Sequence, residues 1–134
     1  MRLNSHSKKF LRRGLAVVFA CSFALSSLVA QGVKKKIQFQ RGSSSATVKG
    51  AVVRGDRDRY YVGARKGQTM KITSEEDNAV FQVYLPGEEE ALHGAGDGDD
   101  ATDWSGDLPR DAEYVIVVGG TRGNASYTLK VSIE

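Results

Sequence analysis

Ser126 to Ile133 alternate without a break, with Tyr127, Leu129, Val131 and Ile133 apolar and Ser126, Thr128, Lys130 and Ser132 polar. A period of two is that of a strand with one buried and one wet face. No stretch sustains a helical period over three turns. Glu113–Val118 is apolar on both faces, as a buried central strand would be, and Ala79–Leu85 places Phe81, Val83 and Leu85 on one face before stopping at Pro86-Gly87. Tyr60–Ala64 and Thr69–Thr73 flank Lys66-Gly67-Gln68, where the glycine suits a tight turn. Ala46–Val53, interrupted by Gly50, and a short segment opened by Ile37 and Phe39 complete the series. Short strands punctuated by Gly and Asp predict an all-β fold, an antiparallel, jelly-roll-like β-sandwich of about seven to nine strands.

The first thirty residues read differently. Met1–Arg13 carries Arg2, Lys8, Lys9, Arg12 and Arg13 and no acid, and Leu15–Ala30 is almost wholly apolar or small. A basic region, an apolar run too short for a spanning helix of about 20 residues and a small-residue exit form a secretory signal peptide. Residues 1–30 are thus a leader and 31–134 a single domain, with cleavage near 30/31 (Leu28-Val29-Ala30) or 32/33 (Ala30-Gln31-Gly32). The expected location is periplasmic or secreted, without stable membrane insertion after cleavage.

Losing the leader changes the composition argument. Subtracting its five cations from the net +3 of the whole chain leaves −2, so the high pI belongs to the precursor and gives no reason to expect nucleic acid. Cys21 leaves too, and the domain must stand on its core without a disulfide. Charge is split along what remains: Gln31–Ser74 holds eleven Lys or Arg against Asp56 and Asp58, and the rest fourteen acids against Arg110, Arg122 and Lys130.

Little of this supports catalysis. After the leader, His93 is the single histidine and no cysteine remains, which excludes the usual nucleophilic systems and His/Cys zinc sites. No phosphate-binding glycine loop occurs. No enzyme, cofactor or metal is expected. Gly94–Asp103 (GAGDGDDATD) is the one stretch with the carboxylates for Ca²⁺, but its spacing fits neither an EF-hand loop nor a repeated glycine-aspartate nonapeptide, and a solvated loop is the simpler reading. Trp104 is either a core residue or a surface contact.

Spaced features then converge. They are Phe39-x-x-Gly42-x-Ser44-Ser45-Ala46 with Gly50, Asp58-x-Tyr60-x-x-x-Ala64-x-Lys66-Gly67-Gln68, and Tyr84-Leu85-Pro86-Gly87. Leu108-Pro109 with Tyr114, Thr121-Arg122 and Tyr127-x-Leu129-x-Val131 follow. In this order the chain resembles the bacterial inhibitors of g-type lysozyme and the related pre-peptidase C-terminal-like (PPC-like) domains, from Ile37 to Ile133. The resemblance implies an exported β-sandwich whose protein partner is g-type lysozyme, blocked by loops entering the muramidase cleft. It assigns partner contacts to Arg122 and Asn124 in the loop before the last strand, and to Asp56 and Arg57 in the loop Arg54–Asp58. A guanidinium suits this task because it can hold a carboxylate through two parallel hydrogen bonds. Two positions depart from the family pattern: Gly123-Asn124-Ala125 is short and lacks a second arginine, and Gly55 stands where a tyrosine can occur. The resemblance also admits a PPC-like accessory module that binds glycan or protein at the envelope. Tyr61-x-x-x-Arg65-Lys66-Gly67 approximates a motif of c-type lysozyme inhibitors, but its companion is missing at Ser105-Gly106.

Overall fold

The structure, a computed structural model, describes residues 32–76 and 78–134. The leader, Cys21 and the 30/31 cleavage point lie outside the described residues. Eight strands form: β1 (Lys34–Lys36), β2 (Ser45–Val52), β3 (Asp58–Ala64), β4 (Thr69–Ser74), β5 (Ala79–Tyr84), β6 (Asp103–Asp107), β7 (Ala112–Gly120) and β8 (Ala125–Ile133). They make two four-stranded sheets, in the orders β1-β3-β7-β5 and β2-β8-β4-β6.

Odd-numbered strands make one sheet and even-numbered strands the other, so every connection crosses between sheets and no two consecutive strands pair. The Lys66-Gly67-Gln68 turn is present, with Gln68 N donating to Arg65 O at 3.2 Å, yet it joins strands of different sheets instead of a hairpin.

The core follows from the alternation. In β8, Tyr127, Leu129, Val131 and Ile133 are buried, and the strand sits between β2 and β4 with ladders on both sides. Facing it, β7 buries Tyr114, Ile116 and Val118 between β3 and β5. Val62, Phe81, Val83, Met70 and Ile72 fill the space between. Each such side chain contributes roughly 1.5–3 kcal/mol by leaving water. Trp104 belongs to this core: it is buried, and its Nε1 donates to the His93 carbonyl at 2.8 Å.

Two expectations need correction. The first strand is Lys34–Lys36, ahead of Ile37 and Phe39, and it pairs with β3 in parallel, so that sheet is mixed and not wholly antiparallel. All three lysines are exposed; at a sheet edge with no buried face, pairing is a backbone matter and leaves no alternation to read. The second is β6, unexpected from its Asp-Trp-Ser-Gly-Asp sequence, which forms the far edge of the other sheet.

The acidic loop has a structural part to play. Phe81 N donates to Ala101 O and Val83 N to Ala95 O, both at 3.0 Å, and Leu92 N donates to Val83 O at 2.8 Å. The segment thereby covers the open edge of β5, with Ala95 and Ala101 buried and Asp97, Asp99 and Asp100 facing water. Among the described residues no three acidic, histidine or cysteine side chains converge as metal ligands would.

Candidate functional site

Three loops meet at one end of the sandwich: β2–β3 (residues 53–57), β4–β5 (75–78) and β7–β8 (121–124). Thr121 N donates to Asn78 O at 2.9 Å, Asn78 Nδ2 to Asn124 O at 3.5 Å, and Arg54 N to Asn124 Oδ1 at 2.8 Å. Asn124 thus joins the two loops that the family resemblance singled out, although they are 70 residues apart. The first loop turns through Asp56 N donating to Val53 O at 2.9 Å, with Gly55 at φ 85°. That backbone region disfavours side-chain-bearing residues, which gives the glycine at this position a steric reason.

Arg54, Arg57, Arg122 and Asn124 are exposed and Asp56 is half-buried. None of these arginines enters an ion pair among the described residues, where the pairs are Lys36–Glu113, Arg110–Glu88 and Lys130–Glu75. Arg57 lies across Gly119 of β7, where an added side chain would meet the guanidinium. Only one of those pairs joins the basic first half to the acidic second half.

Arg57 also stands between two surface depressions. A polar cleft of about 220 Å³ runs past Gln82, Asp97 and Asp100 to Thr121. A groove of about 640 Å³ follows the outer face of β3, β7 and β5, lined by Arg59, Tyr61, Gln82, Tyr84, Val115 and Val117 among others. Neither lining contains a histidine or a cysteine.

Beneath the loops lies a buried polar node. Asp58, the first residue of β3, is 1% exposed. Its Oδ2 accepts from Tyr127 OH at 2.6 Å and its Oδ1 from Val33 N at 2.8 Å, while the Tyr60 and Tyr127 hydroxyls lie 2.6 Å apart. The two rings meet edge to face with centroids 6.3 Å apart. Burial pushes both phenols above the ordinary tyrosine value of 10.0, and for Tyr127 the adjoining carboxylate raises it further. Both phenols therefore stay neutral. Asp58 fixes the root of the β2–β3 loop and ties β3 to β8. The sequence reading gives Asp58 a place in a family motif and at the end of the loop Arg54–Asp58 but no buried role, although Asp58, Tyr60 and Val62 share the inward phase of one strand.

No family model matches the chain, and no curated protein does. Among solved structures, the chain is similar to Aeromonas hydrophila PliG, a periplasmic inhibitor of g-type lysozyme, at 33% identity and a TM-score of 0.68 over 78% of this chain and 98% of that one. The corresponding inhibitor of Salmonella Typhimurium aligns with a TM-score of 0.63 at 23% identity, over 78% of this chain and 100% of that one, and supports the fold. The pre-peptidase C-terminal domain of Bacillus anthracis collagenase shares the fold more distantly, with a TM-score of 0.53 at 13% identity over 79% and 99% of the two chains. At one third identity over nearly the whole of the Aeromonas protein, the chain belongs to the PliG family of periplasmic lysozyme inhibitors.

Proposed function

We propose that the protein inhibits g-type lysozyme in the periplasm by presenting the loops 53–57 and 121–124 to the muramidase cleft. The observation that carries this reading is the Asn124 clamp, which ties the loop of Arg54 and Arg57 to that of Arg122 at one end of a PliG-family sandwich, with all three arginines exposed and outside any ion pair among the described residues. Glycosidases cleave with carboxylates flanking the scissile bond. A guanidinium is the matching group, and bracing the backbone of its loop beforehand lowers the ordering cost of docking. Arg122 is the principal contact, Arg57 supports it from across Gly119, and Asn124 and Asp56 shape the edge. The protein acts by binding and has no chemistry of its own, in keeping with relatives that are inhibitors and not enzymes. No described helix is long and apolar enough to cross a membrane.

The test is a lytic assay with the exported protein against g-type, c-type and i-type lysozymes on purified peptidoglycan. Inhibition of the g-type enzyme alone is expected. Absence of inhibition at micromolar concentration would remove this assignment.

A second reading, a PPC-like module binding glycan at the envelope, draws on the groove past Tyr61 and Tyr84, since Trp104 is in the core. Co-sedimentation with lysozyme-free peptidoglycan separates the two: retention there would favour the module.

A further inference from the structure

Asp58 is the buried charged side chain of this domain, and no Lys, Arg or His pairs with it among the described residues. A carboxylate taken out of water needs compensation. One oxygen has the Tyr127 phenol; the other has the backbone nitrogen of Val33 at 2.8 Å. Val33 is also where the sheet begins to hold the chain. Its carbonyl accepts from Arg59 N at 2.7 Å, and the parallel ladder runs on from Lys34 opposite Arg59. Immediately upstream, Gly32 is so close to the Arg57 carbonyl that any side chain there would overlap it. In sequence, Ala30-Gln31-Gly32 offers small residues at the two positions an export peptidase reads.

We propose that the leader is cut between Gly32 and Val33, and that the α-ammonium released at Val33 is the counter-ion of Asp58. Hydrolysis adds water across the Gly32–Val33 peptide bond: Gly32 leaves as a carboxylate, and the Val33 nitrogen, now an amine, takes up protons. The same atom that donated one neutral amide hydrogen becomes a cation with three, at a separation suited to a charge-assisted bond. The node is incomplete in the precursor and complete only in the exported protein. Removal of the leader thereby stabilises the fold, and with it the root of the β2–β3 loop.

The experiment expresses the full precursor in a Gram-negative host and purifies the exported protein. Intact mass should correspond to Val33–Glu134. Thermal melting from pH 7 to 9.5 then reads the ion pair. An unpaired α-amine titrates near about 7.7–8.0. Asp58 raises that value in the folded state, so the stabilisation is full below it and is lost as pH rises through the folded value. Tyr60 and Tyr127 face Asp58 from β3 and β8 and, both raised above 10.0, stay neutral across this window. Arg57 and Arg59 flank Asp58 in the chain. The midpoint should fall by roughly 5–10 °C, and Asp58→Asn should abolish that dependence. Should Asp58→Asn not fold, α-acetylated wild type takes its place, expected to melt about 5 °C lower at pH 7 and to lack the pH dependence. A mass beginning at Gln31, or a midpoint that is flat from pH 7 to 9.5, or a slope unchanged in both Asp58→Asn and the acetylated protein, would overturn the proposal.

Discussion

The Tyr127 phenol on one sheet meets the Asp58 carboxylate on the other at 2.6 Å, inside a core with no other buried charge among the described residues. This contact joins the sheets and fixes the point from which the β2–β3 loop departs.

Tyr127→Phe keeps the ring and removes the donor to a buried carboxylate, which should cost about 1.5–3 kcal/mol. Tyr60→Phe removes only a hydroxyl pairing and should cost about 0.5–1.5 kcal/mol. Tyr127→Ala adds a cavity and should cost about 3–5 kcal/mol. Urea denaturation midpoints at constant m-value give this ordering; equal midpoints for wild type and Tyr127→Phe would remove the node from the stability argument.

A methyl group at Gly50 would lie 2.5 Å from the Tyr127 hydroxyl oxygen. The strand must carry a glycine there because the phenol of its ladder partner crosses over it. Gly50→Ala should destabilise by about 1–3 kcal/mol through overpacking. Gly50→Ala combined with Tyr127→Phe should cost less than the sum of the two single changes, which a double-mutant cycle measures.

Alkaline stability follows from the same phenols. Both have raised folded-state values, so the unfolded chain releases its protons first as pH rises. Their stabilising contribution is full below about 10 and is lost above it. Ultraviolet titration should show two tyrosines ionising only as circular dichroism reports unfolding; their ionisation in the folded protein near pH 10 would contradict the burial argument.

For the proposed inhibitory edge, Arg122→Ala should weaken lysozyme inhibition at least tenfold, or about 1.4 kcal/mol, while leaving the fold intact. Arg122→Lys should also lose potency, because an ammonium keeps the charge without the two-pronged geometry. Asn124→Ala breaks the bond from Arg54 N and should reduce affinity with little change in charge. Asp103→Ala, on the exposed face of the edge strand β6, serves as the control. Surface plasmon resonance on the four variants decides: equal affinity of wild type and Arg122→Ala would take Arg122 out of the mechanism.

Because every ladder joins strands distant in sequence, refolding should be slow, on the order of milliseconds to seconds. Stopped-flow fluorescence of Trp104, the single tryptophan and a core residue, reports it directly. Microsecond refolding would contradict the topology argument.

The sequence by itself determined the strands that bury a face. β8, β7, β5 and β3 announce themselves by alternation or apolar runs, since leaving water imposes a pattern on each residue. It also determined that Tyr127 is inside and that Arg122 and Arg57 belong to exposed loops. The tertiary structure decided what depends on pairing. β1 and β6 lie at sheet edges, where backbone hydrogen bonds hold a strand whatever its side chains, so Lys34–Lys36 and a stretch with one apolar residue leave no periodic trace. The assignment of alternate strands to opposite sheets is equally silent, because no local pattern says which strand a neighbour will be. That assignment makes Asn124 meet Arg54 and lets Tyr127 reach Asp58, contacts 70 and 69 residues long. Local chemistry chose the faces; the crossing of the chain between sheets chose the neighbours.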